Sequence, residues 1–245
     1  MSRVVLILGA GPNIGVKVAE KFAQNGYQVA IVGRSLVDGA FDGSTFNIAA
    51  DLQDPEVVLG IFQRVEGKLG MPNVVIFNGG NRLITPPDDP LSASLEILRA
   101  SRSMTFESAY VATQEALKGF RMLPDDTPTA FIYTGNALNQ IAIPATMPYA
   151  LGKVSAAMMI EFAANAYGQQ GYRFYYADER QADGRPANLD RDGVAHAEMY
   201  WTLANEEKQS KWQVTFVKGQ GRRNFVGVDF NGETRESYDH KFGRV

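Results

Sequence analysis

The sequence predicts an α/β fold, a doubly wound parallel sheet of about seven strands with helices on both faces, in one domain over residues 1–245. Three observations carry that expectation. Short apolar runs recur at 4–8, 27–32, 45–50, 74–77, 130–134, 172–177 and 212–217, and runs of this kind mark strands covered on both sides. Segments with apolar residues three or four apart separate them, as amphipathic helices require. Turn-forming residues follow several of the runs, at Gly9, Gly33, Asn78-Gly79-Gly80 and Gly135-Asn136.

Taken in order, Val4-Val5-Leu6-Ile7-Leu8 is the first strand, and Gly9-Ala10-Gly11-Pro12-Asn13-Ile14-Gly15 follows at once. Ile14, Val18 and Phe22 then form one helical stripe at a spacing of four. Glycines in such a turn let main-chain N–H groups and the helix N-terminus approach a pyrophosphate, so a dinucleotide is the expected guest. The Rossmann fingerprint places glycines first, third and sixth; Gly9 and Gly11 fit, Ile14 takes the sixth place and Gly15 the seventh. A glycine-rich turn without a ligand is the competing reading, and the flanking strand and helix weigh against it.

Asn25-Gly26 ends the first helix, and residues 27–32 are the second strand. Gly33-Arg34-Ser35 leaves that strand where such folds meet the adenosine ribose. An acidic residue there would repel a 2′-phosphate, whereas Arg34 and Ser35 favour one, so NADP is expected over NAD. Residues 45–50 are a short third strand closed by Asp51-Leu52. Asp54 reads as the N-cap and Pro55 as the first residue of the next helix, with Val57, Val58, Ile61, Phe62 and Val65 on its inner face and Gly70 at its end. The fourth strand, 74–77, runs into Asn78-Gly79-Gly80, where small residues again permit close approach to a ligand.

Residues 81–91, rich in proline and aspartate, read as a loop. Residues 92–120 are helical, as one long or two short helices, with Leu95, Leu98, Met104, Tyr110, Val111 and Leu117 expected on the apolar face. The fifth strand, 130–134, delivers Gly135-Asn136 to the carboxyl edge, where open α/β sheets place their ligands. A loop over 137–148 leads to a helix carrying Tyr149 and Lys153, four apart and so on one face. The sixth strand is read at 172–177, followed by a polar loop at 178–193, a helix at 194–206 and a last strand at 212–217. The tail from Lys218 reads as an ordered edge or a contact between copies.

Composition narrows the function classes. A formal charge of −3 and an isoelectric point near 5.5 leave no basic excess to neutralise a phosphate backbone, so nucleic acid is not an expected partner. The absence of cysteine excludes disulfides, thiolate metal sites and a cysteine nucleophile. The two histidines, His196 and His240, stand in no metal-ligand spacing, so no metal is expected, and His196 reads as a packed or surface residue. No apolar run approaches the length of a membrane span, and the first residues form a strand without a signal core, which predicts a cytoplasmic protein away from membranes.

These landmarks together resemble those of the short-chain dehydrogenase/reductase family over residues 4 to about 165. Gly9 to Gly15 is similar to the family's TGxxxGxG loop, with Leu8 for the threonine and Asn13 for the middle glycine. Asp51-Leu52 resembles its adenine-contacting acidic pair, Asn78-Gly79-Gly80 the end of its NNAG motif, and Tyr149-Ala150-Leu151-Gly152-Lys153 its YxxxK. The resemblance implies NADP-dependent interconversion of a carbonyl and an alcohol on a small molecule. In it Tyr149 is the acid and base, and Lys153 favours the phenolate and holds the nicotinamide ribose. It further implies a homo-oligomer, dimer or tetramer, paired through the helices around residues 100–118 and 150–166.

Three departures accompany it. The family's serine, thirteen residues before the tyrosine, falls on Asn136, and its relay asparagine falls on Thr105. Where Pro-Gly usually follows the sixth strand, Asp178-Glu179-Arg180 stands. Asn136 is expected to orient the substrate through its amide N–H, against a reading as a turn residue. The rival function is an NADP(H)-binding sensor or scaffold of the same fold with little or no catalysis.

Overall fold

A computed structural model describes residues 3–225. Its sheet contains β1 (Val4–Leu8), β2 (Gln28–Val32), β3 (Thr45–Ile48), β4 (Val74–Phe77), β5 (Thr129–Thr134), β6 (Tyr172–Arg180), β7 (Gln213–Val217) and β8 (Gly221–Arg222). The spatial order is β3-β2-β1-β4-β5-β6-β7-β8, parallel throughout except for β8, which pairs antiparallel with β7. The two-residue β8 is the edge anticipated in the tail. Residues 226–245, with His240, lie outside the described residues.

The helices are α1 (Ile14–Gln24), α2 (Val57–Leu69), α3 (Leu95–Arg102), α4 (Ser108–Phe120), α5 (Met147–Tyr167) and α6 (Gly193–Ala204). Alternation along each strand divides the core into two layers. In β1, Val4, Leu6 and Leu8 face α2, α4 and α5, whereas Val5 and Ile7 face α1 and α6. Ile14, Val18 and Phe22 of α1 are buried in the second layer, as their spacing of four predicts. Chain order reverses between β1 and β4, so the turns after these two strands diverge and leave a crevice at the carboxyl edge.

Three local expectations are corrected. Helix α2 begins at Val57 with Glu56 at its N-cap position; Asp54 instead accepts from the Glu56 N–H in a preceding turn. Of the two arrangements expected for 92–120, the structure has two helices, joined by one π-helical turn, Ser103–Glu107. Within it Leu95 and Tyr110, expected on the buried face, are exposed. The largest change is at Asp178-Glu179-Arg180, read as the start of a polar loop but found as the last three residues of β6, all buried. Polarity suggested solvent; pairing with Thr215, Phe216 and Val217 of β7 holds the three in the sheet.

Candidate active site

The turn after β1 is shaped by what a side chain would strike. Gly9 has φ +104°, and a Cβ there would lie 2.8 Å from the main chain of Asn78 and Gly79. Asn78 closes this contact by donating from Nδ2 to the Gly9 oxygen at 2.7 Å. Gly15, the glycine one place late in the fingerprint, has no room for a Cβ either, because Ala10 Cα would stand 2.6 Å away. It therefore lets the first turn of α1, starting at Ile14, pack directly on the loop. Val16 N donates to the Gly11 oxygen at 3.1 Å, which folds the loop onto the start of α1, and the helix N-terminus behind it makes a cradle suited to a pyrophosphate, so the residues present fit a dinucleotide.

One cleft, of about 280 Å³, runs from this loop to the end of β2. Gly9, Gly11, Asn78, Gly79 and Gly80 line its near side; Arg34, Ser35, Asp51 and Leu52 line its far side. Arg34 and Ser35 are exposed, within reach of a ligand. The Leu52 carbonyl accepts from Ser108 Oγ at 2.6 Å, which ties the adenosine end to α4. Asn13, in the place of a family glycine, points elsewhere. Its Nδ2 donates to the Arg191 oxygen at 2.9 Å and its Oδ1 accepts from Gly193 N at 3.0 Å, pinning the start of α6 to the loop.

A second cleft opens beside Tyr149 and is lined by Asn136, Arg82, Arg191, Asp178, Glu179 and His196 among others. Tyr149 and Gly80 bring the two clefts together: a Cβ on Gly80 would stand 3.1 Å from Tyr149 Oη. Burial raises the Tyr149 hydroxyl to about 12, opposed by the positive charges of Arg191 and Arg82. Lys153 is buried behind it, with Nζ donating to the Thr134 oxygen at 2.9 Å and lying 5.3 Å from the centroid of the Tyr149 ring. Burial lowers this amine to about 7, helped by Arg191 and opposed by Asp178.

Asn136 leaves β5 in an extended conformation. Its Oδ1 accepts from Leu138 N at 3.0 Å, the turn role, while its main chain exchanges hydrogen bonds with Tyr176 Oη at 2.9 and 3.1 Å. Gly135 must be glycine because a Cβ would strike the Tyr176 ring at 2.3 Å. That ring ends a stack across three strands, Phe77 on Tyr133 and Tyr133 on Tyr176, with centroids 5.6 and 5.5 Å apart. Thr105 is wholly buried in the π-helical turn; its hydroxyl donates to the Ser101 oxygen at 2.6 Å and its own carbonyl accepts from Tyr133 Oη at 2.7 Å.

Sequence reasoning missed the groups that surround this centre. Arg180 donates from Nε to Asp178 Oδ2 at 2.5 Å and from a terminal nitrogen to Gln140 Oε1 at 2.9 Å. Burial raises Asp178 to about 6, against the pull of Arg180, and Glu179 to about 7. His196 is buried as expected of a packed residue, with ring contacts to Tyr200 and Phe216, yet it also lines the cleft. The departure from Pro-Gly was the available signal; nothing in the spacing of Arg82, Arg191 or His196 pointed to them.

The sequence pattern of the family described as short chain dehydrogenase matches residues 3–176. The chain belongs to the short-chain dehydrogenase/reductase family. It is 38% identical over 250 residues to the short chain dehydrogenase/reductase dmxR12 of Cryptosporiopsis sp. (strain 8999), covering 98% of this chain and 99% of that one. Among solved structures, a double mutant of a Serratia marcescens short-chain dehydrogenase/reductase superposes with a TM-score of 0.74 at 18% identity, over 89% of this chain and 96% of that one. ElxO with NADP bound superposes with a TM-score of 0.72 at 17% identity, over 89% and 98%. At such identities the structures share the fold. This dehydrogenase/reductase is therefore an oxidoreductase by family, and no helix among its described residues is long and apolar enough to cross a membrane.

Proposed function

We propose that this short-chain dehydrogenase/reductase interconverts a carbonyl and an alcohol with NADP(H), using Tyr149 as the proton donor and acceptor. The observation that carries the reading is the meeting of the two clefts at Tyr149 and Gly80, which puts the hydroxyl beside the motif that follows β4. The cofactor supplies the hydride for reduction of the carbonyl carbon, or takes it up in oxidation. The glycine loop holds the pyrophosphate, and Arg34 with Ser35 holds a 2′-phosphate, which favours NADP over NAD.

Tyr149, raised to about 12, is protonated at neutral pH and gives its proton to the substrate oxygen as negative charge develops there. Arg82 and Arg191 stabilise the phenolate left behind. Lys153, fixed by Thr134, orients the nicotinamide ribose and adds charge below the tyrosine when protonated. Asn136 Nδ2, whose partner Oδ1 is occupied by the turn, donates to the same substrate oxygen. Thr105 positions α5 rather than touching the reactants.

Copies of the chain pair through α4 and α5, in a dimer or tetramer. Leu151, Val154, Met158 and Phe162 form an exposed apolar stripe along α5 that supports this, and light scattering checks it. Fluorescence titration with NADPH and NADH, followed by a carbonyl panel, tests the function. Turnover with NADPH preferred supports it, and binding without turnover of any carbonyl supports a sensor or scaffold instead.

A further inference from the structure

The cleft beside Tyr149 has two acceptors at its inner wall with nothing to accept. His196 is wholly buried, and its Nδ1 lies 2.8 Å from the Asp192 carbonyl oxygen. A carbonyl has no hydrogen to give, so Nδ1 carries the proton and Nε2 presents a lone pair. Burial lowers the imidazole to about 4, which keeps it neutral at physiological pH. Asp178 spends Oδ2 on Arg180 Nε. His196 Nε2 and Asp178 Oδ1 find no hydrogen-bond partner among the described residues, although both side chains are more than nine-tenths buried and both residues line the cleft. Buried polar atoms left in this way are uncommon in native proteins, and a ligand that supplies the missing donor is one explanation.

We propose that this wall receives a hydroxyl group of the substrate, so that the substrate class is a hydroxyketone, or in the reverse direction the corresponding diol. The inference rests on the carbonyl–alcohol reading of the same site. A ketone oxygen is itself an acceptor, so it is served by Tyr149 Oη and the Asn136 amide and gains nothing from His196 or Asp178. A second group bearing O–H supplies a donor to one of the two acceptors. The cleft is open on its outer side and carries Tyr149 and this wall on one lining, so a small molecule can present both groups to it. Both acceptors are already closed to water, so a ketone without the hydroxyl leaves them unpaired, whereas a hydroxyl that reaches one of them supplies a hydrogen bond that solvent does not. Sites built to pair a hydroxyl discriminate strongly against the analogue that lacks it.

The test uses the positional isomers of hydroxycyclohexanone, their methyl ethers and cyclohexanone, with the wild-type protein. Turnover is measured with NADPH, and binding to the NADP+-saturated protein by calorimetry. At least one hydroxy isomer should be preferred over cyclohexanone roughly 100-fold in kcat/KM or affinity, and its methyl ether should lose the preference because it has no hydrogen to donate. His196→Phe should bring the ratio of hydroxy to deoxy compound towards one. Equal binding of all the ketones, or a methyl ether as good as its parent, overturns the proposal. So does a His196→Phe protein that keeps the ratio but loses NADPH affinity, since the free Nε2 then serves the nicotinamide carboxamide. If the variant fails to fold, the methyl ether comparison in the wild type still decides. Calorimetric preference for the hydroxyl without turnover of any ketone would sink the oxidoreductase reading and leave the substrate class standing.

Discussion

Nζ of Lys153 donates to the main-chain oxygen of Thr134 at 2.9 Å, one residue before the turn that carries Asn136. The same nitrogen lies 4.5 Å from the centroid of the Tyr133 ring and 5.3 Å from that of Tyr149. This contact ties α5 to the end of β5, between the residues that carry the tyrosine, the lysine and the asparagine. Helical geometry alone brings Tyr149 and Lys153 to one face; the bond to Thr134 says where that face is aimed.

That alignment requires close packing behind it. A Cβ on Gly152 would come within 1.7 Å of Thr105 Oγ1 and 2.8 Å of Thr105 Cβ. Gly152→Ala should destabilise the fold by about 1–3 kcal/mol through overpacking, read as a lower urea midpoint. Adding Thr105→Ala should restore part of the loss. Full stability in the single variant would show that α5 does not lean on Thr105.

Cofactor choice is expected to depend on Arg34. Arg34→Ala should weaken NADPH roughly tenfold, the size of one charge-assisted hydrogen bond, and leave NADH nearly unchanged in a fluorescence titration. Equal losses for both cofactors would remove Arg34 as the discriminator.

Much of this was legible in the chain. Uniform apolar runs revealed the strands because parallel sheets are covered on both faces, and the glycine loop and YxxxK spacing are local patterns that survive in one dimension. Asp178-Glu179-Arg180 was misread because charge usually marks solvent, whereas here an ion pair and strand pairing hold it inside. Arg82 comes from the loop after β4, and Arg191 and His196 from around the start of α6 more than a hundred residues later, so only folding brings them together. Leu95 and Tyr110 show the opposite limit, since an apolar stripe fixes a helix face without saying what covers it.

Asn136 separates a turn role from a donor role. Asn136→Asp keeps an oxygen for Leu138 N but removes the amide donor, so it should lower kcat/KM by up to about 10²-fold with NADPH affinity unchanged. Asn136→Ser should retain a sizeable part of the activity, and Asn136→Ala should fall with the aspartate. An active aspartate variant would leave only the turn.

His196 gives the protein a defined acid sensitivity. Its value falls from about 6.5 in the unfolded chain to about 4 in the fold, so the unfolded state takes up the proton first. The stabilisation from keeping it neutral is complete above about 6.5 and is lost as pH falls towards 4. Between about pH 7 and about pH 5, the stability difference between wild type and His196→Phe should shrink by about 2 kcal/mol. Asp178 and Glu179, shifted upwards, take protons with the opposite sign over an overlapping range. Because Glu179 Oε2 lies 3.3 Å from His196 Nδ1, the comparison is made in a Glu179→Gln background; the difference between the two proteins is then the readout, and a constant difference would contradict a buried neutral imidazole.

Whether Tyr149 moves the proton is decided by kcat/KM of Tyr149→Phe with NADPH on any ketone the wild type reduces, beside the NADPH dissociation constant. Loss of the hydroxyl should cost about 10²- to 10⁴-fold in kcat/KM and leave NADPH binding nearly intact. A phenylalanine variant that keeps most of the activity would contradict the account and assign the proton to another group of the cleft.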